Sequence, residues 1–271
     1  MQRDAFFLPA TVGQRFCLFY PAQGGVERGS VIYLHPFAEE MNKSRRMASL
    51  QARALAASGY GVLQIDLYGC GDSSGDFGDA TWRHWNEDVL LAWHWLRARS
   101  HAPLILWGLR AGCLLAASVA VDLPVAPNFI FWQPVISGRL HWQQFMRLKM
   151  AGELASGYAK GITEQLRQQL AAGQGVEIAG YTIDPALAEG VQDAKLQAKT
   201  GQSGHVAWLE LSTREAPILS PVSQKCIEQW KTAGYAVDAQ VVYGPAFWQT
   251  TEIEDAPELT GATLAVMESW Q

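Results

Sequence analysis

Residues 103–121 have the sequence PLILWGLRAGCLLAASVAV, and this stretch sets the architecture of the chain. Its first five residues form a short apolar run, which is typical of a strand buried on both faces. The small residues that follow Gly112 predict a helix up to residue 121. Gly108 and Gly112 frame the turn between the two elements. The sequence therefore predicts a buried strand, a tight turn and a helix in direct succession.

The same alternation of strand and helix extends along most of the chain. The runs SVIYLH at residues 30–35 and YGVLQID at residues 60–66 predict two more buried strands. The other predicted elements are two short strands within 5–20, helices at 41–58 and 81–99, a strand at 126–132, and then strand 205–211, helix 221–233, strand 236–243 and helix 257–270. This alternation favours an α/β class protein with a doubly wound, mostly parallel sheet of about eight strands.

Residues 138–203 interrupt the alternation. They hold polar helical stretches at 140–151 and 162–172, a short extended piece at 176–183 and a helix at 185–198. We interpret this segment as a helical cap inserted over the sheet. The predicted division is a core of residues 1–137 and 204–271 and a cap of residues 138–203.

Composition narrows the class of protein. The chain has 271 residues, of which 49% are hydrophobic, with a net charge of -5 and a pI near 5.7. This length and apolar content suit one large domain or one domain with an insert. The acidic balance disfavours a nucleic-acid partner, and no run approaches the roughly 20 apolar residues that span a bilayer.

The first residues lack the basic start of a signal peptide, so we expect a cytoplasmic protein. The four cysteines form no CxxC pair, and we expect neither a metal nor a cofactor.

Three motifs carry a resemblance to a known superfamily. His35-Pro36-Phe37 follows a predicted strand, residues 66–75 have the sequence DLYGCGDSSG, and residues 108–112 have the sequence GLRAG. In this order they resemble the oxyanion turn, the glycine-rich loop and the nucleophile elbow of the α/β-hydrolase superfamily. The resemblance covers nearly the whole chain and implies an α/β-hydrolase fold with a cap between the sixth and seventh strands.

Two further strings are similar to a narrower family. They are LHPFAEEMNKSRR at residues 34–46 and GPAFWQ at residues 244–249. Both resemble the family called exosortase A system-associated hydrolase 2. That resemblance implies an association with bacterial exopolysaccharide and protein-sorting (PEP-CTERM) genes.

The superfamily resemblance also implies a triad in the order nucleophile, acid, histidine. The nucleophile position holds Arg110, whose guanidinium stays protonated and is no nucleophile. Glu215 stands at the acid position after the seventh strand. The histidine position holds Phe247 and Trp248, and the last histidine of the chain, His205, precedes it. Two of the three roles are missing, so we do not expect hydrolysis through a serine, a histidine and an acid.

Two roles for Arg110 remain open. It could pair with a carboxylate of the chain, for which Glu215, Glu39 and Glu40 are the candidates. It could instead bind an anionic ligand, together with backbone amides near Phe37 and Ala111 that would otherwise form an oxyanion hole. The two roles are compatible.

The remaining candidate residues also have two interpretations each. Glu39 and Glu40 are favourable acids in a first helical turn, or one of them holds Arg110 or acts as a base toward water. His35 is either a structural residue bonded to nearby backbone or part of the pocket. Phe247 and Trp248 form either a pocket wall or ordinary core packing.

Three functions follow from these residues. The first is a protein with a degenerate triad that binds an anionic or acylated small molecule. The second is an ester or acyl hydrolase with a rebuilt site, in which Glu39, Glu40 or Glu215 activates water and Arg110 stabilises an oxyanion. The third is a protein–protein adaptor that uses the cap as its interaction face. Neither the ligand nor the oligomeric state follows from the sequence.

Overall fold

The structure is a computed structural model and describes residues 3–154 and 161–270. Its ten strands are β1 (Asp4–Pro9), β2 (Gln14–Tyr20), β3 (Gly29–Leu34), β4 (Tyr60–Ile65), β5 (Leu104–Leu109), β6 (Asn128–Trp132), β7 (Val176–Ile178), β8 (Tyr181–Ile183), β9 (Gly204–Ser212) and β10 (Tyr235–Tyr243). Its α-helices are α1 (Glu39–Ala57), α2 (Trp82–Arg97), α3 (Gly112–Val119), α4 (Gly138–Leu154), α5 (Ile162–Ala171), α6 (Pro185–Asp193), α7 (Pro221–Ala233) and α8 (Pro257–Glu268).

Eight of the strands form one sheet in the order β1-β2-β4-β3-β5-β6-β9-β10. The pairs β1–β2 and β2–β4 are antiparallel, and every later pair in that order is parallel. The prediction of a mostly parallel sheet of about eight strands is confirmed. Leu34 pairs with Gly108 and Leu109 with Trp132, so the carboxyl ends of β3, β5 and β6 meet at one edge.

The central strands are buried because helices cover both faces of the sheet. All six residues of β3 are buried. One hydrophobic cluster includes Trp85 of α2 and Cys113 of α3, and a second on the other face includes Met47 of α1 and Leu259 of α8. Each fully buried large apolar side chain stabilises the fold by about 1.5–3 kcal/mol. This two-sided burial is why the strands have continuous apolar sequences instead of alternating ones.

Local signals fix several helix ends. The hydroxyl of Thr81 accepts a hydrogen bond from His84 N and begins α2. Gly234, with a φ of 115°, ends α7. The helix predicted at 185–198 is shorter, because α6 ends at Asp193. Over the described part of the chain, no helix is both long enough and apolar enough to cross a membrane.

The chain between β6 and β9 holds α4, α5, the β7–β8 hairpin and α6. The extended piece predicted at 176–183 is this antiparallel hairpin. A bridge between Ser137 and Lys195 ties the two ends of the segment together. Residues 155–160 of the predicted cap lie outside the described residues, and the division into core and cap stays a prediction.

Candidate functional site

The turn after β5 places Arg110 at the tip of a sharp elbow. Arg110 has a φ of 55°, which is the left-handed region that few residues other than glycine adopt. A Cβ atom on Gly108 would lie 2.6 Å from Cys113 Cα, and one on Gly112 would overlap the Leu34 carbonyl oxygen. Only glycine allows the turn to pack this closely against β3 and the start of α3. The predicted strand, turn and helix therefore form as a unit, and they lift the Arg110 side chain above the sheet edge.

Arg110 forms an ion pair with Glu40 in the first turn of α1. Arg110 Nε lies 3.3 Å from Glu40 Oε1, and the two side chains are 18% and 21% exposed. The guanidinium carbon lies 5.5 Å from the centre of the Trp248 ring. Burial raises the pKa of Glu40 above its usual value, and the charge of Arg110 opposes that rise. The pair is partly desolvated. Removing one partner should therefore cost more stability than it would in an exposed ion pair.

The other two candidate carboxylates do not contact Arg110. Glu39 is exposed and accepts hydrogen bonds from Tyr181 Oη at 3.1 Å and Asn42 Nδ2 at 3.4 Å. Glu215 follows β9, is exposed, and does not line the cleft that contains Arg110. Of the three carboxylates, the structure brings Glu40 to Arg110, keeps Glu39 at the rim and leaves Glu215 elsewhere.

Arg110 lines a cleft of about 300 Å³ at the carboxyl edge of the sheet. Ligand sites in open α/β sheets lie at this edge. The residues around the cleft are Phe37, Glu39, Glu40, Lys43, Arg110, His141, Gln144, Phe145, Trp248 and Gln249. A second cavity of about 310 Å³, beside Leu104 and Asn128, lies at the amino ends of the strands and away from the elbow.

The turn after β3 supplies an apolar wall, and this turn and the elbow after β5 each carry a backbone amide without an acceptor in the described residues. Phe37 is 3% exposed, and its ring contacts the rings of Phe145 and His141 at centroid distances of 5.0 and 5.9 Å. Neither Phe37 N nor Ala111 N has a hydrogen-bond acceptor among residues 3–154 and 161–270. These are the amides near which the superfamily resemblance implies an oxyanion hole.

His35 is held by backbone on both sides of its ring. Its Nδ1 lies 2.9 Å from Pro36 O, and Leu67 N lies 3.3 Å from its Nε2. These partners assign the proton to Nδ1 and make Nε2 the acceptor. Burial lowers the pKa of His35. The contacts are those of a structural histidine, and the residue does not line the Arg110 cleft.

Phe247 and Trp248 occupy different environments, although the sequence left the same two interpretations, pocket wall and core packing, open for both. Phe247 is 1% exposed and packs edge-on against Trp132 in the core, with ring centroids 6.2 Å apart. Trp248 is 4% exposed and lines the cleft. Its indole N–H is buried and has no partner in the described part of the protein.

His141 is a residue of the cleft that the sequence did not identify. It lies on α4, is 6% exposed, and neither ring nitrogen has a partner among the residues described. Burial, assisted by the charge of Arg110, lowers its pKa to about 3. The sequence predicted a helix there, but its pattern did not show which face meets the cleft. His205, the last histidine in the chain, instead stacks on Trp270 and does not line the cleft.

Several hydrogen-bond donors line the cleft. The side chains of Arg110, Lys43 and Trp248 can donate. Neutral His141 and the two amide side chains, Gln144 and Gln249, can both donate and accept. The carboxylates of Glu39 and Glu40 are the charged acceptors of the cleft. Within the described ranges, no three His, Cys, Asp or Glu side chains form a group that could hold a metal ion. The arrangement can bind an acceptor-rich group, such as a carboxylate, a phosphate or a polarised carbonyl.

Comparison with known proteins agrees with this architecture. Est1E from Butyrivibrio proteoclasticus, solved with ferulic acid, has a TM-score of 0.66 at 12% identity, over 98% of this chain and 99% of that chain. A highly thermostable carboxyl esterase from Bacillus coagulans has a TM-score of 0.66 at 12% identity, over 100% and 99%. XC6422 from Xanthomonas campestris, an α/β serine hydrolase without a lid, has a TM-score of 0.59 at 17% identity, over 99% and 95%. At these identities the likeness shows the fold alone.

Sequence comparison gives the family. Human protein ABHD12B is 31% identical over 105 residues, which are 38% of this chain and 28% of that protein. The chain thus matches well under two thirds of that relative's length. Residues 25–220, more than half of the chain, match the family described as serine aminopeptidase, S33. The chain therefore belongs to the serine aminopeptidase S33 family of the α/β-hydrolase superfamily.

Proposed function

We propose that this protein binds an anionic or acylated small molecule at a degenerate hydrolase site. We further propose that it is a cytoplasmic protein of the exosortase and exopolysaccharide-associated type. The observation that carries the proposal is Arg110 at the elbow tip, with its side chain in the cleft at the carboxyl edge of the sheet. Fixed cations and free amides at such a position attract negative charge.

The same residues argue against an acyl-enzyme. An arginine side chain stays protonated and cannot attack a carbonyl carbon. The segment after β10 offers Phe247 and Trp248 where a general base would be needed. His141 lies in the cleft, but a pKa of about 3 makes its imidazole a weak base. These features favour binding over turnover.

Thermal shift measurements test the proposal. Phosphorylated sugars and acyl thioesters are added to the wild-type protein, to Arg110→Ala and to Arg46→Ala, the last removing an exposed arginine on α1. A ligand at a hundredfold excess over its Kd stabilises by about 2.7 kcal/mol, which corresponds to about 5–10 °C in a chain of this size. We expect that shift in the wild type and in Arg46→Ala, and its loss in Arg110→Ala. A shift that survives in Arg110→Ala would refute the proposal.

The alternative is a hydrolase whose site is rebuilt around Glu39, Glu40 or Glu215 and Arg110. Glu40 favours it, because its side chain lines the cleft and its Oε2 has no hydrogen-bond partner in the described residues. Glu215 is outside the cleft, so this alternative rests on Glu40 first. Turnover of p-nitrophenyl esters or thioesters that disappears in both Glu40→Gln and Arg110→Ala would support it. No turnover and no labelling by a fluorophosphonate probe would favour the binding function.

A further inference from the structure

Three side chains that line the cleft with Arg110 carry buried polar atoms without a hydrogen-bond partner in the described residues. These atoms are Glu40 Oε2, both ring nitrogens of His141, and Trp248 Nε1, and none has a partner in the described residues. His141 and Trp248 are 6% and 4% exposed. The three residues come from α1, from α4 and from the segment after β10. Buried polar groups are nearly always hydrogen-bonded, so their convergence on one cleft indicates a site for a polar ligand group.

The hydrogen bonding of Arg110 leaves the two terminal nitrogens of its guanidinium group without a partner in the described residues. Its Nε contacts Glu40, while its two terminal nitrogens have no hydrogen-bond partner within the described ranges. Two parallel N–H groups of a guanidinium match the two oxygens of a carboxylate. Trp248 can only donate, and neutral His141 carries one N–H. The groups facing the ligand therefore favour a planar acceptor with two oxygens.

The charges of the cleft favour a single negative charge over two. Lys43 and Arg110 are balanced by Glu39 and Glu40. One N–H of Lys43 Nζ donates to Thr250 O at 2.6 Å. Because these four charges cancel, a doubly charged phosphate would leave the cleft with a net charge of about −2, whereas a carboxylate would leave about −1. The balance selects a monocarboxylate.

The rest of the cleft is aromatic. The rings of Phe37 and Phe145 meet edge to face, 5.0 Å apart, and the Trp248 ring lies beside Arg110. The volume of about 300 Å³ holds about ten non-hydrogen atoms, if each takes the roughly 30 Å³ of a liquid water molecule. A carboxylate with a compact apolar body fits both the walls and the size.

We infer that the ligand is a small amphipathic monocarboxylic acid. Its carboxylate contacts the terminal nitrogens of Arg110 and accepts from Trp248 Nε1 and His141. Its apolar body, an acyl chain or an aromatic ring, lies against Phe37 and Phe145. This inference rests on the proposed function and narrows its ligand class.

Isothermal titration calorimetry on the full chain tests the inference. Sodium octanoate and sodium 3-phenylpropanoate represent the acyl and the aromatic body, and octanamide and 3-phenylpropanamide are their uncharged controls. Trp248→Phe keeps the ring and removes the N–H donor. Trp270→Phe is the matched control, because Trp270 Nε1 is also buried without a partner among the described residues, but lies outside the cleft. Arg110→Lys keeps the charge and removes the fork.

We expect at least one acid to bind at least about tenfold more tightly than its amide. Trp248→Phe should weaken it about fivefold and Arg110→Lys about tenfold, while Trp270→Phe binds as the wild type does. If Trp248→Phe fails to fold, as judged by circular dichroism, Arg110→Lys carries the same test. Equal binding of acid and amide, or equal effects of Trp248→Phe and Trp270→Phe, would overturn the inference. If sugar phosphates or thioesters still stabilise the wild type but not Arg110→Ala, that result contradicts only this inference and the proposed function stands. If they do not, both the inference and the proposed function are refuted.

Discussion

Protonation of His141 should couple the stability of this protein to pH. Burial and the charge of Arg110 lower the pKa of His141 from 6.5 to about 3. In the unfolded chain the imidazole regains its ordinary pKa and binds a proton below about pH 6.5. Below that pH, proton binding therefore stabilises the unfolded state, whereas the folded state does not bind this proton until the pH approaches 3. The contribution of His141 to stability is complete above that pH and is lost as the pH falls toward the folded pKa.

The size of the effect follows from the two pKa values. With pKa values of 6.5 and about 3, proton binding at pH 5 stabilises the unfolded chain by about 2 kcal/mol relative to the folded one. At pH 8 the corresponding difference is close to zero. A loss of about 2 kcal/mol is large beside the 5–15 kcal/mol that typically separates folded and unfolded states.

The assay is urea denaturation at pH 8 and at pH 5, followed by circular dichroism. His141→Phe keeps an aromatic ring against Phe37 and cannot be protonated, while the other titrating groups, Glu40 included, are present in both proteins. We expect the wild type to lose about 2 kcal/mol more than His141→Phe between the two pH values. His101→Gln removes an exposed histidine and serves as the control that keeps the wild-type loss.

The reasoning is refuted if the wild type and His141→Phe lose the same stability between pH 8 and pH 5. That result would mean that the His141 ring is hydrated or paired in solution. A comparison of urea m-values is needed first, because a changed m-value would show that the variant had altered the unfolded state instead.

Three further predictions concern the elbow, a buried ion pair and the four cysteines. Gly112→Ala should lower the free energy of unfolding, measured in urea, by more than about 3 kcal/mol, because the new Cβ would overlap the Leu34 carbonyl oxygen. The control is Gly261→Ala on the exposed face of α8, which should raise the free energy of unfolding by up to about 1 kcal/mol. Arg15→Ala should cost about 3–5 kcal/mol, because it leaves Asp88 buried and without the guanidinium 2.6 Å away. All four cysteines are buried, and burial raises the pKa of each thiol, so labelling with a disulfide reagent should proceed only as fast as the protein opens.

Each of these predictions has a result that contradicts it. A Gly112→Ala protein as stable as the wild type would mean that the elbow is looser than the close approach to β3 implies. Arg46→Ala, which removes an exposed pair with Asp255, should leave the stability unchanged, and a loss equal to that of Arg15→Ala would remove the distinction between buried and exposed pairs. Cysteine labelling faster than unfolding would show an accessible thiol.

The framework of the site was predictable from the sequence. Gly108 and Gly112 at fixed spacing after a buried apolar run define an elbow, because only glycine lets backbone segments approach so closely. The runs at β3, β4 and β5 are continuous and apolar, which indicates strands covered on both faces. Both patterns lie within short stretches of sequence, so the elbow and the buried strands can be predicted without knowledge of the tertiary structure.

The partners within the site were not predictable in the same way. Glu39, Glu40 and Glu215 were equivalent candidates for Arg110, because sequence spacing does not show which of two adjacent residues on a helix faces a turn that lies 70 residues away. Only the rotation of α1 against the elbow selects Glu40, with its Oε1 3.3 Å from Arg110 Nε. The difference between Phe247 and Trp248 has the same origin, since adjacent residues after β10 point to opposite surroundings.

His141 shows the limit most clearly. The sequence determined that Arg110 stands at an elbow in a parallel α/β fold, because the identity of a residue and its place in a strand–turn–helix unit are encoded locally. Tertiary structure alone decided that an imidazole from α4 and an indole from beyond β10 close around that guanidinium. Such contacts depend on how distant elements pack, and packing is a property of the whole chain that no local pattern contains.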